Sequence, residues 1–149
     1  MQKVLIDTDV ILDFFFDRKP FSDNAAKVFA LCESKEIIGY ITPVIISNVY
    51  YLLRQTAKHE KVIEKLKMLV SITEILVIDR DSILHALSSN FKDFEDALQN
   101  YSAETNREIE LIITRNIKDF KNSSLAVMTP DNFVKIKLPA ANSKHNKLP

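Results

Sequence analysis

The sequence predicts an α/β fold, a three-layer sandwich with a central parallel sheet of four to five strands flanked by helices. Two observations carry this. Short, nearly continuous apolar runs recur along the chain, the pattern of strands covered on both faces. Between them lie longer stretches with apolar residues at helical spacing. A third observation gives the fold a site. Acidic and amide side chains follow several of the apolar runs, and open parallel sheets bind ligands at the carboxyl ends of their strands.

Taken in order, Val4-Leu5-Ile6 is the first strand and stops at Asp7. Asn24–Ser34 places Val28, Leu31 and Cys32 on one helical stripe. Ile37–Thr42 is the second strand, and Pro43 then opens a helix over Val44–Ala57. Lys61–Ser71 carries Val62, Leu66 and Leu69 on one face with charge opposite. Ile75–Ile78 is a third strand, followed by helices over Asp81–Ser88 and Asp93–Thr105. The second of these bears Phe94, Ala97, Leu98 and Tyr101. Leu111–Thr114 and Leu125–Met128 complete the strands. No repeat or linker divides the chain. One domain is expected over residues 1–138, with a flexible tail over 139–149.

Composition narrows the chemistry. The 149 residues carry 20 Lys+Arg against 20 Asp+Glu, one Cys and one Gly. A single glycine, Gly39, excludes the P-loop and the dinucleotide fingerprint, both of which need several. Any handling of phosphate must then use another device, and metal ions are the obvious one. Cys32 alone makes neither an internal disulfide nor a zinc cluster, and its apolar setting predicts a buried, inert thiol. The N-terminus lacks signal-peptide architecture and no apolar run approaches the ~20 residues that span a bilayer. The expectation is a cytoplasmic protein without a membrane partner.

The acids fall where a site should be. Asp7 closes the first strand and Asp9 follows two residues later. Thr42 leads into the helix bearing Asn48. Thr114 closes the fourth strand, with Asn116 and Asp119 just beyond. Asp93 and Asp96 open one helix three residues apart and so share a face. Several have ordinary structural readings: Asp93 as a helix cap, Asp96 as a first-turn acid, Asp119 as a turn residue. Asp7 does not, because an acid ending a buried apolar strand costs a few kcal/mol unless paired or metal-bound. Asp7, Asp93, Asp96 and Asp119 together would form a carboxylate cup whose charges repel until a cation neutralises them. Oxygen ligands without Cys or His select Mg²⁺ or Mn²⁺. None of His59, His85 and His145 falls near a strand end.

These residues also resemble a known family. Val4-Leu5-Ile6-Asp7-Thr8-Asp9-Val10-Ile11-Leu12-Asp13 is similar to the opening of PIN-domain proteins, the fold of the VapC toxins of bacterial toxin–antitoxin pairs. Asp93-Phe94-Glu95-Asp96-Ala97-Leu98-Gln99 resembles the family's internal acidic motif. Ile113-Thr114-Arg115-Asn116-Ile117-Lys118-Asp119-Phe120 resembles its C-terminal motif, and the helix around Ile46–Arg54 is also similar. The resemblance runs from about Lys3 to Phe133 with the motifs in order. It implies a metal-dependent ribonuclease that hydrolyses RNA phosphodiesters, forms homodimers and is silenced by a cognate antitoxin. It implies Asp7 and Asp96 as the principal metal ligands, Asp93 beside them, and Asp119 or Asn116 in the last position. Asn48, Asn116, Asp9 and Thr114 would border the pocket. Arg115 and Lys118, flanking the last acid, would contact RNA phosphates. One departure stands out. The family's second acid, usually Glu, falls where this chain has Asn48, which offers an oxygen without charge.

Two other readings compete. Asp7-Thr8-Asp9 also resembles the opening of haloacid-dehalogenase-type phosphatases, with Asp7 as nucleophile. The scarcity of glycine weighs against it. Alternatively, with Asn48 neutral, the domain is a degenerate member of the PIN family that binds RNA or protein without cleaving.

Overall fold

A computed structural model describes residues 1–139. The tail expected over 139–149 lies, from residue 140 on, outside the described residues. Five parallel strands form one sheet in the order β3-β2-β1-β4-β5, with β1 Gln2–Ile6, β2 Ile37–Ile41, β3 Glu74–Ile75, β4 Leu111–Ile113 and β5 Ala126–Met128. Among the described residues seven α-helices flank it: α1 Thr8–Phe15, α2 Ser22–Glu33, α3 Pro43–Arg54, α4 His59–Ser71, α5 Arg80–Leu87, α6 Phe94–Thr105 and α7 Pro130–Lys137.

β1 is the central strand, and Val4, Leu5 and Ile6 are wholly buried, as a continuous apolar run requires. Its register places Val4 beside Gly39 on one side and Leu111 on the other. The sheet continues past its last pairs: Asp7 donates its N–H to Ile113 O and Thr114 donates to Met128 O, each at 3.0 Å. The ends of β1, β4 and β5 are therefore tied together where the acids begin.

The expected elements are present, with shifts that have local causes. The third strand shrinks from Ile75–Ile78 to two residues. Leu76 turns into the core while Val77 stands 73% exposed at the sheet edge, so the run stops pairing. Thr42 does not end β2 but caps α3, its Oγ1 accepting from Ile45 N at 3.1 Å. Asp93 likewise caps α6 rather than lying inside it. Helices α1 and α7 cover stretches for which no helical stripe is assigned in the sequence. Both are short, and α7 is fixed by burying Phe133 and Val134.

Cys32 is buried and free, and burial pushes its thiol up to about 12. Gly39 has no unusual backbone angle. A Cβ there would lie 2.7 Å from Cys32 Sγ and 2.8 Å from Ile6 Cδ1, so this glycine admits a close approach of α2 to the sheet. Among the described residues no helix is long and apolar enough to cross a membrane.

Candidate active site

Asp7 leaves β1 in extended conformation and caps α1. Its Oδ1 accepts from Thr8 N at 2.8 Å, and its Oδ2 accepts from the Thr114 hydroxyl at 2.8 Å. Strand pairing brings residues 107 positions apart into this contact. Asp7 is 6% exposed. Desolvation, with Asp9 and then Asp119 adding repulsion, raises its carboxyl to about 7 despite those two donors.

Asp9 lies on the first turn of α1 and clasps the loop after β4. Its Oδ2 accepts from Arg115 N at 3.2 Å, from Asn116 Nδ2 at 3.1 Å and, more distantly, from the Thr114 hydroxyl at 3.4 Å. Asp9 Oδ1 and the neighbouring Thr8 Oγ1 are buried without a protein partner. Burial raises the Asp9 carboxyl, and the Arg115 charge partly opposes this.

Helix α6 supplies the facing wall. Asp93 caps it, Oδ1 accepting from Asp96 N at 3.0 Å, and so fixes the turn that presents Asp96. Asp96 is half-buried. Its carboxyl rises to about 7 through desolvation first, then repulsion by Asp7, Asp93, Asp119 and Asp9. Asp7, Asp9, Asp93 and Asp119 thus all bear on the Asp96 carboxyl. Asp93, Asp96, Lys118 and Asp119 also line a common cleft of about 550 Å³. Among the described residues no three Asp, Glu, His or Cys side chains already converge as a metal cage.

Arg115 departs from expectation. Its Nε and Nη2 donate to the two oxygens of Asp13 at 2.5 and 3.1 Å, and its guanidinium stacks on Phe21 at 4.1 Å. Asp13 is 1% exposed, with Arg18 Nη1 a further 3.6 Å neighbour. The expected phosphate contact is thus engaged internally, as a strut between α1 and the loop. A buried bidentate pair of this kind positions structure, because releasing the guanidinium would strand a buried charge. Asn116 is similarly committed to Asp9.

Asn48, like Asp7 and Asp9, lies outside the lining of that cleft, and its Nδ2 donates to Glu95 Oε2 at 2.7 Å. A carboxylate therefore stands beside Asn48, contributed by α6. Asp13 and Glu95 are the two residues that sequence reasoning missed. Asp13 had a signal, an acid one turn after Asp9 inside the apolar run Val10–Phe16. Glu95 had none beyond membership of the acidic string.

A parallel α/β sandwich with carboxylates at the ends of its central strands places acidic side chains where open parallel sheets bind ligands. The chain belongs to the PIN-domain family: residues 3–118 match the family described as PIN domain. Asp119 lies one position past that match. Solved structures agree in fold. VapBC-1 from nontypeable Haemophilus influenzae has a TM-score of 0.65 at 15% identity, covering 87% of this chain and 99% of that one. VapBC2 from Rickettsia felis, bound to a DNA fragment from the promoter, has a TM-score of 0.61 at 17% identity, covering 86% and 98%. VapC20 from Mycobacterium tuberculosis, a Sarcin-Ricin loop cleaving toxin, has a TM-score of 0.58 at 15% identity, covering 73% and 86%. No curated protein matches. The phosphatase resemblance gives way to the family match.

Proposed function

We propose that the chain is a divalent-metal-dependent endoribonuclease, the toxin of a toxin–antitoxin pair. The observation that carries this reading is the acidic cluster itself: Asp7 is buried at the end of the central strand, and Asp96, half-buried and set by its Asp93 cap, shares a cleft with Asp119 and feels the Asp7 charge. Such an arrangement is unfavourable for folding alone, and a bound cation would relieve it. The donors suit Mg²⁺ or Mn²⁺: they are carboxylate oxygens, and the orphaned Asp9 Oδ1 lies alongside.

Asp7 and Asp96 would hold the ion, with Asp119 nearby. When bound, such an ion supplies an activated water and neutralises charge on phosphate oxygens. The chain's own residues do the positioning. Thr8 N and the Thr114 hydroxyl orient Asp7 while leaving each of its oxygens a second lone pair. Asp93, through its cap, sets Asp96. Asp9 holds the 114–116 loop against α1, and the Asp13–Arg115 strut braces that loop from behind. Lys118, in the same cleft, suits a phosphate contact. An antitoxin partner belongs to the same proposal, supported by the toxin–antitoxin complexes among the fold relatives, and a homodimer and a cytoplasmic setting complete the proposal.

The test is cleavage of a labelled RNA by the purified chain. We expect hydrolysis with Mg²⁺ or Mn²⁺, none in EDTA, and none from a folded Asp96→Asn variant. Equal cleavage by wild type and Asp96→Asn would sink the assignment. A second reading, a PIN domain that binds without cleaving, is favoured by the neutral Asn48 and by Asp93's engagement as a cap. RNA binding with no cleavage under any divalent ion would select it.

A further inference from the structure

The acids of the cleft pose a problem for any nucleic-acid substrate, since a polyanion would be repelled from them. Three lysines answer it. Lys92, just before α6, and Lys118 and Lys121, on the turn after β4, line the same cleft as Asp93, Asp96 and Asp119. All three are exposed. None takes part in the ion pairs found among the described residues, although Asp93 and Asp119 adjoin two of them in sequence. An ammonium without an internal partner is a point charge available to an anion. The two lysine-bearing segments are joined at the rim, where Asn122 Nδ2 donates to Asn90 O at 3.3 Å. This contrasts with Arg115, whose guanidinium is held by Asp13 and Phe21.

Size and aromatic content define the ligand further. A cleft of about 550 Å³ admits a short piece of single strand, and a duplex is far too wide. Its aromatic wall is Phe91, whose ring meets Tyr101 and Phe120 edge-on at centroid distances of 5.8 and 6.1 Å. That ring belongs to the protein's own aromatic cluster and is a poor platform for stacking a base. Cations without a free stacking surface recognise backbone rather than sequence.

We propose that this cleft is a backbone-tracking subsite for single-stranded RNA, in which Lys92, Lys118 and Lys121 hold phosphates flanking the one presented to the acids. The proposal rests on the nuclease reading and adds to it a binding step that needs no metal and reads no base. Sequence preference must then be set outside this cleft.

The experiment is fluorescence anisotropy in EDTA with the full chain, using labelled oligouridine and oligoadenosine of about 12 nucleotides, within the span of single-strand sites. The salt slope of binding is about 0.7 per phosphate contact on single strands, so Lys92→Gln/Lys118→Gln/Lys121→Gln should flatten it by about 2. Between about 50 and 200 mM salt, wild type should lose about 16-fold more affinity than this variant, equally on both RNAs. Asp96→Asn should bind as well as wild type or better. An unchanged slope, or a loss confined to one RNA, would overturn the subsite. So would a wild type that ignores RNA but binds polyglutamate through the lysines, which points to an acidic protein segment. Running cleavage of a long mixed-sequence RNA with Mg²⁺ in parallel separates the two readings. Lysine-dependent binding without cleavage sinks the nuclease reading and keeps the subsite, whereas cleavage indifferent to the triple substitution sinks the subsite alone.

Discussion

Asp7→Asn removes a buried charge while preserving shape, and its effect on stability should depend on pH. The Asp7 carboxyl moves from 3.8 in the unfolded chain to about 7 in the fold. Below pH 4 it is protonated in both states, and above about 7 it is ionised in both. Between these limits the folded protein retains a proton that the unfolded chain has released. Stability without metal therefore falls as pH rises through that window. At about 1.4 kcal/mol per pH unit the gain from Asp7→Asn is at most about 4 kcal/mol at pH 8. Asparagine can still accept from Thr8 N, so little is lost at pH 4. The assay is urea unfolding in EDTA at pH 4 and pH 8. We expect near-equal stability at pH 4 and a more stable variant at pH 8. Mn²⁺ should then stabilise wild type, by about 2.7 kcal/mol at a hundredfold excess over its dissociation constant, and leave the variant unmoved. A variant destabilised equally at both pH values would refute the reasoning, because Asp7 would then be an ordinary structural hydrogen-bonding residue.

Other substitutions probe the surrounding frame. Arg115→Ala strands the buried Asp13 carboxylate and should cost about 3 kcal/mol by urea unfolding; a loss under 1 kcal/mol would show that Arg18 suffices as partner. Gly39→Ala forces a methyl against Cys32 Sγ and Ile6 Cδ1 and should cost about 1–3 kcal/mol. Pairing it with Cys32→Ala should recover part of that loss, and no recovery would place the conflict elsewhere. Asn48→Glu sets a second carboxylate against Glu95, so stability in EDTA should fall while Mn²⁺ affinity by calorimetry rises. Unchanged affinity would show that this end of α3 lies outside the reach of the cation.

The single glycine shows how far composition reaches. Counting it excluded phosphate-cradling loops, which is a statement about what the backbone cannot do. That Gly39 is needed for contact between α2 and the sheet could not be read from the count, since the contact joins residues on different elements. Asp7 was legible because an acid at the end of an apolar strand is costly wherever the chain folds. Asp93 and Asp96 were legible as a pair because helical spacing is local. Thr114 and Asp9 were legible only as neighbours of strand ends, and their shared hydrogen bonds depend on β1 pairing with β4.

Arg115 marks the limit most plainly. Its sequence position beside Asp119 suggested a phosphate contact, and nothing local argued otherwise. The partner that claims it, Asp13, lies 102 positions earlier and comes within reach only when α1 packs beneath the 114–116 loop. Periodicity, caps and the desolvation cost of Asp7 are short-range effects, so the sequence alone determined the α/β class, most elements and the acidic character of the site. Which charges are spent on each other and which stay free for a ligand is decided by distances across the sheet. Only the tertiary structure sets those distances, and it freed Lys92, Lys118 and Lys121 while committing Arg115.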